Sequence, residues 1–504
     1  MIIETIKLNE MSVFAEFFLG ISIMYLLMHS LFISFNNNLN FPIVQSSLIN
    51  LSVLALIMTC FLLLNDNLII LKYITFSNTI VNDYLSFFAK IIIGVSSIIC
   101  LFLIKDYIIV QKINSFEYII ILLFSILGLF LLCSANDFIT IYLALELQSL
   151  SFYVLSAFKK DSAYSVESGL KYFILGAFSS GLFLFGSSLI YGVFGTVNLT
   201  DLKDLSFIIL NGNGTNSLKI NNFVIIGLLL IFISLFFKLA LAPFHIWSPD
   251  IYENSPTSST FFFAVVPKIS IFVVIIRLSY YALFDGIFWW QETIAVIALA
   301  SVIVGAMGGL EQRKFKSLLA YSSISHMGYL LITFMSASFE GFQILFSYLV
   351  IYIASGLCLW SIFMLTRLKK VNNKKQNKDL ADFILLRKSN KMLSIVFATA
   401  LFSIAGLPPL IGFIVKLNIF LIAIKKTFYF MAFLSISFSV ISTFFYLRII
   451  KILYFEPVIV GRLYYPIKHT KILVIILLFF LFIFMFLNPS ILYLFSYKAS
   501  YLFI

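Results

Sequence analysis

The sequence predicts an all-α polytopic membrane protein of about fourteen transmembrane helices, with two inverted five-helix repeats and broken helices 7 and 12. Three observations predict it. Of 504 residues, 62% are hydrophobic and only 11% charged. Apolar runs of membrane length, about 20 residues, recur from Met11 to Phe495, and no polar stretch between them is long enough for a soluble domain. Two of the runs are interrupted by proline, at Leu241-Ala-Pro243 and at Gly406-Leu-Pro-Pro409, and each carries a lysine near the interruption.

The spans read at about 11–35, 47–65, 82–104, 117–134, 137–158, 163–194, 222–247, 256–283, 288–310, 314–335, 340–366, 391–424, 427–450 and 471–495. The start, MIIETIKLNEM, has Glu4 and Glu10 and no basic leader pattern. The first helix therefore reads as a true span, made in the compartment that uses it. An even count puts both termini on one side, and the basic residues test this. Twenty-one of the 34 fall in loops after odd-numbered spans and seven on the opposite side, the bias that orients membrane proteins. Both termini are expected outside, with the basic loops on the matrix or cytoplasmic side. The net charge of +12 is accounted for by those loops, and no nucleic-acid partner follows; lipid is the surrounding partner.

Cys60, Cys100, Cys133 and Cys358 stand singly in apolar helices, without metal-ligand spacing, and read as small core residues. There is no P-loop and no dinucleotide fingerprint. Redox chemistry or ATP hydrolysis, if coupled to this chain, belongs to a partner.

Six basic residues lie within spans: Lys90, Lys171, Lys238, Lys268, Arg277 and Lys416. A charge at the bilayer centre costs about 2.5–3.5 kcal/mol on insertion scales, so each needs a reason. Lys90 and Arg277 lie near span ends and are expected to snorkel to the interface. Lys238, Lys268 and Lys416 sit deep, with Lys171 intermediate. Glu146, in LALELQSLSFY, is the mid-span carboxylate, and the hairpin to Lys171 predicts an intramembrane ion pair between the two. His326, in LLAYSSISHMGYLL, is a second deep titratable group. Its bland reading is an interhelical hydrogen bond; its functional one is a proton relay, with Tyr321, Ser322, Ser323 and Ser325 holding connecting waters. Breaks at Pro243 and at Pro408 and Pro409, one in each half of the chain, are the sequence pointer to a transporter built of repeats. The expected organisation is 1–116 as an N-terminal three-helix segment, 117–283 and 284–454 as the repeats, and 455–504 as a C-terminal helix. Buried lysines whose charge depends on neighbouring charges can pass protons without covalent chemistry. A sodium site would need more oxygen ligands than one central carboxylate supplies.

LALELQSLSFY, GLKYFILGAFSSGLFLFGSSLIYG, FKLALAPFHIWSPDIYENSPT, VVPKIS, LLAYSSISHMGY and AGLPPLIGFIVK resemble the antiporter-like membrane subunits of respiratory complex I. The likeness is detailed over about 115–425. Asp250-Ile-Tyr-Glu253 and Lys416 resemble one branch of that family, set apart from branches that read Asp-Ala-His or carry glutamate at the Lys416 position. The resemblance implies Glu146 and Lys171 as coupling pair, Lys238 and Lys268 as central relay and Lys416 as terminal group. It assigns Lys90 nothing. It further implies proton translocation coupled to NADH oxidation, other membrane-arm subunits as partners, including neighbouring antiporter-like ones, and FMN, iron–sulfur clusters and quinone in those partners, with no cofactor in this chain. The implied setting is the mitochondrial inner membrane, organelle-encoded, or alternatively a bacterial plasma membrane. Competing readings are a stand-alone Mrp-type cation/proton antiporter, the equivalent plastid subunit, and a passive scaffold.

Overall fold

The computed structural model describes residues 13–34, 41–66, 73–111, 113, 115–210, 215–369, 374–376, 379–384, 386–456, 463–464 and 466–500. The N-terminal MIIETIKLNEM and the loop lysines Lys72, Lys112, Lys370 and Lys378 lie outside them.

The described chain is almost wholly helical. In order come α1 (Phe14–Ser34), α2 (Phe41–Asp66), a hairpin of β1 (Tyr73–Thr75) and β2 (Ile80–Asn82), α3 (Tyr84–Val110), α4 (Glu117–Ser134), α5 (Phe138–Ala157), α6 (Ala163–Phe194), α7 (Leu199–Leu210) and α8 (Thr215–Leu239). Then follow α9 (Trp247–Asn254), α10 (Thr257–Val265), α11 (Pro267–Ile276), a π-helical turn (Arg277–Ala282), α12 (Ile287–Leu310), α13 (Phe315–Met335) and α14 (Phe339–Leu365). The last helices are α15 (Lys391–Ala405), α16 (Ile411–Lys425), α17 (Tyr429–Tyr454), α18 (His469–Leu487) and α19 (Pro489–Ser500). Among the described residues, thirteen segments are long and apolar enough to cross a membrane. The remaining expected span is the broken pair α15 and α16, each 15 residues long.

Backbone chemistry places both interruptions. α8 stops at Leu239, eight residues short of the end expected for the seventh span. Ala240 takes a φ of +60° and the Ala242–Pro243 peptide is cis; proline cannot donate to a helix and clashes with the preceding turn. α15 ends on Gly406, whose φ of +80° suits glycine and whose N–H bonds back to the carbonyls of Phe402 and Ser403. Pro408–Pro409 is also cis. The expected eighth span divides at Pro267 into α10 and α11.

By contacts the chain forms two compact units: the described residues of Met1–Leu239, Val266–Thr293 and Lys498–Ile504, and those of Ala240–Val265 and Ile294–Tyr497. In the second, the restart of the broken span is packed to its limit. A side chain on Gly412, in the first turn of α16, would run into the carbonyl of Ser403 on α15. Backbone cannot yield as a side chain can, so Gly412→Ala is expected to destabilise by about 1–3 kcal/mol. Thermal denaturation of the purified assembly checks it, and an unchanged midpoint would show that the two half-helices can part.

The first unit corrects two readings. Lys90 does not snorkel. It is buried in α3, forms an ion pair with Glu16 of α1, and donates to Asn82 Oδ1 at 2.7 Å. Nor does Arg277, which is buried and bonds Asp83 Oδ1 at 2.8 Å. The physical reason is that a complementary carboxylate within reach removes the need for water. Asp83 also caps α3, accepting from the Ser86 N–H at 2.8 Å, so one carboxylate serves a helix end and a cation. Cys100, Cys133 and Cys358 are buried thiols and Cys60 is half-buried.

Candidate functional site

In the first unit the deep groups gather around the end of α8. Lys238 is its penultimate residue. Its Nζ donates to the Tyr153 hydroxyl of α5 at 3.3 Å and lies 5.6 Å from the centre of that ring, a cation over an aromatic face. Ser149 lies one helical turn before Tyr153 on the same face of α5. Ser149 Oγ stands 3.2 Å from Glu146 Oε2 and equally 3.2 Å from the Glu146 carbonyl. Two hydroxyls of α5, those of Tyr153 and Ser149, thus stand between Lys238 and Glu146, whose charge acts on Lys238.

Lys268 closes the other side of the helix end. Buried at the second position of α11, it donates to the carbonyl of Leu239, the last residue of α8, at 3.0 Å. The final carbonyls of a helix have no partner within it and carry partial negative charge, so an ammonium group is their natural complement.

Lys171 is placed differently. It pairs with Glu167 at 2.8 Å, four residues earlier on α6, and the side chains are 46% and 54% exposed. Helical spacing sets both on one face. The face of α6 turned to α5 is carried by Tyr172 and Phe173, whose rings pack edge-on to Tyr153 with centroids 4.9 and 5.7 Å away. Glu146, expected to pair with Lys171, accepts from Ser149 Oγ at 3.2 Å.

The second unit repeats the carbonyl arrangement. Lys416, buried in α16, donates to the carbonyls of Ile404 and Ala405 at 2.8 and 3.0 Å. These are the last two residues of α15. Its Nζ also lies 5.3 Å from the Tyr329 ring centre. His326, buried in α13, has its Nδ1 2.5 Å from the Tyr348 hydroxyl and its Nε2 3.3 Å from that of Tyr446. The imidazole is therefore held by two phenols, from α14 and α17.

The serines beside it are bonded within their own helix. Ser322, Ser323 and Ser325 each donate to the carbonyl three residues back, at 2.8 Å, the usual bond of a hydroxyl inside a helix. Tyr321 turns its ring against Gly308 of α12. Tyrosines from other helices, rather than the serine run alone, line the histidine.

Two kinds of residue escaped the sequence reading. Ser149 and Tyr153 had a signal: three and seven residues after Glu146, they share its helix face. Tyr348 and Tyr446 had none, for they reach His326 from 22 and 120 residues away. Among the described residues, no group of three or more His, Cys, Asp and Glu could hold a metal ion.

Residues 135–442 match a family model described as NADH:quinone oxidoreductase/Mrp antiporter, TM. Over 97% of its length the chain is 36% identical to NADH-ubiquinone oxidoreductase chain 2 of Marchantia polymorpha, covering 98% of that protein. Over 76% of its length it is 39% identical to NADH-quinone oxidoreductase subunit N of Paramagnetospirillum magneticum, covering 77% of it. Its fold is that of a chain in respiratory complex I from Thermus thermophilus, with a TM-score of 0.77 at 24% identity, covering 95% of this chain and 98% of that one.

Proposed function

Since the chain belongs to the NADH:quinone oxidoreductase/Mrp antiporter family, in its chain 2 and subunit N branch, we propose that it carries protons across the membrane through its buried lysines while partner subunits oxidise NADH. It is a membrane-arm subunit of an enzyme complex, among other antiporter-like subunits.

One observation carries it: in each unit a buried lysine, Lys268 or Lys416, is held on carbonyls that a helix end leaves open. A lysine so placed keeps a fixed position at a depth where its charge responds strongly to neighbouring charges. In the first unit the hydroxyls of Tyr153 and Ser149 stand between Lys238 and Glu146. A change of charge on Glu146 alters how firmly Lys238 holds its proton, and Lys268, on the next carbonyl, receives it. In the second unit His326 stands among phenols and Lys416 is the terminal group. Lys171, paired with Glu167 at the outer face of α6, supplies the charge that reaches Glu146 from outside the chain. FMN, the iron–sulfur clusters and quinone reside in partner subunits under this reading. The proposed setting is the mitochondrial inner membrane with the basic loops on the matrix side, a reading supported by the near full-length likeness to the Marchantia polymorpha chain; the alternative is a bacterial plasma membrane.

The test is the number of protons translocated per NADH oxidised, in vesicles holding the assembled complex. Lys238→Ala and Glu146→Gln are each expected to lower it. Wild-type stoichiometry in both variants would mean that these charges only satisfy packing.

A further inference from the structure

We propose that the Tyr153 hydroxyl, seated against Gly176, is the relay through which Lys238 and Glu146 exchange a proton. The inference rests on the lysine path proposed above and names a group that path did not include.

Four observations converge on this hydroxyl. It is the acceptor for Lys238 Nζ at 3.3 Å. It lies one helical turn from Ser149 on the same face of α5, and Ser149 Oγ stands 3.2 Å from Glu146 Oε2. Tyr153 is buried, 6% exposed, and its ring is fixed edge-on between Tyr172 and Phe173 of α6. Finally, α6 leaves a gap for it: a side chain on Gly176 would overlap the Tyr153 oxygen. The same side chain would overlap the ring carbons Cζ and Cε1, so the gap seats the end of the ring together with its hydroxyl. A tyrosine also lies over the lysine of the second unit, Tyr329 over Lys416 at 5.3 Å. Its helix, α13, holds the place in the second expected repeat that α5 holds in the first.

The donors can align in one direction. The Lys238 ammonium donates to Tyr153 Oη, the Tyr153 O–H to Ser149 Oγ, and the Ser149 O–H to Glu146 Oε2. A proton leaving Lys238 for Tyr153 displaces the phenol's own proton onto Ser149, whose proton passes to the carboxylate. The result is a neutral amine and a neutral acid, with both hydroxyls regenerated. No charged phenolate persists, and no co-reactant is needed. Reversal restores both charges. Two half-buried charges thus appear or vanish together, at lower cost than either alone.

Tyr153→Phe keeps the ring and its packing and removes the relay. In the assembled complex, the rate of proton translocation is expected to fall roughly three- to tenfold, the weight of one hydrogen bond lost from a path, and its pH profile to shift. Ser149→Ala interrupts the same chain without touching Lys238 and is expected to do likewise, so it decides the matter should Tyr153→Phe assemble poorly. Added to Glu146→Gln, Tyr153→Phe is expected to change nothing further, because the relay has already lost its terminal proton acceptor. If Lys238→Ala and Glu146→Gln impair translocation while Tyr153→Phe and Ser149→Ala match wild type in rate and pH profile, this inference fails and the lysine path stands. If all four match wild type, the path fails as well.

Discussion

Lys416→Gln is expected to leave the complex assembled and to abolish the share of proton translocation that passes through this chain. Lys416 performs two tasks that the substitution separates. It satisfies the carbonyls of Ile404 and Ala405, and it carries a charge that can come and go. A glutamine amide has two N–H donors and can serve the first task, though one atom shorter; it cannot serve the second. Lys416→Ala removes both and leaves two buried carbonyls without a donor, at about 1–3 kcal/mol each, so loss of assembled chain is expected there. The measurement is protons per NADH in vesicles, with the amount of assembled complex determined alongside. Normal translocation in the glutamine variant would assign Lys416 to helix capping and remove it from the path.

The second large effect falls on stability. Lys90→Ala leaves Glu16 as a buried carboxylate without its cation. Removing one partner of such a pair costs about 3–5 kcal/mol, whereas replacing both with apolar groups is often close to neutral. Glu16 and Lys90 are 3% and 2% exposed, so water offers little relief. The thermal midpoint of the purified complex is expected to drop for Lys90→Ala and to recover substantially in Glu16→Leu with Lys90→Met. A double variant as unstable as the single would show that the pair does not hold α1 to α3 and that the loss comes from packing of the lysine stem.

The sequence disclosed the scaffold because the bilayer makes strong demands on it. Spans such as Tyr84–Val110 and Phe339–Leu365 are visible as uninterrupted apolar runs, and the interruptions at Pro243 and Pro409 are visible because proline cannot be hidden in a helix. Depth along a span was legible too: Lys238, Lys268, His326 and Lys416 were singled out by distance from the ends. Azimuth was not. In a helix that is apolar all round, no periodic stripe tells which face meets a neighbour. Lys171 and Tyr172 are adjacent in sequence, yet one is exposed and the other packs on Tyr153. The same loss of direction concealed the partner of Lys90, 74 positions away at Glu16. Tyrosine itself gave no cue, since 25 are spread through the chain. What distinguishes Tyr348 and Tyr446 is only the histidine that the fold brings between them.

The carbonyl seats of Lys268 and Lys416 have a mechanical consequence. A carbonyl oxygen takes no proton at ordinary pH, and an amine still has N–H bonds to donate after losing one. The lysine nitrogen therefore stays anchored to the same oxygens whether it is an ammonium or a neutral amine. Only the strength of the hold changes. Electrostatic information can pass such a point as a pulse through a stationary post, with no swinging arm and no rotamer barrier to slow it.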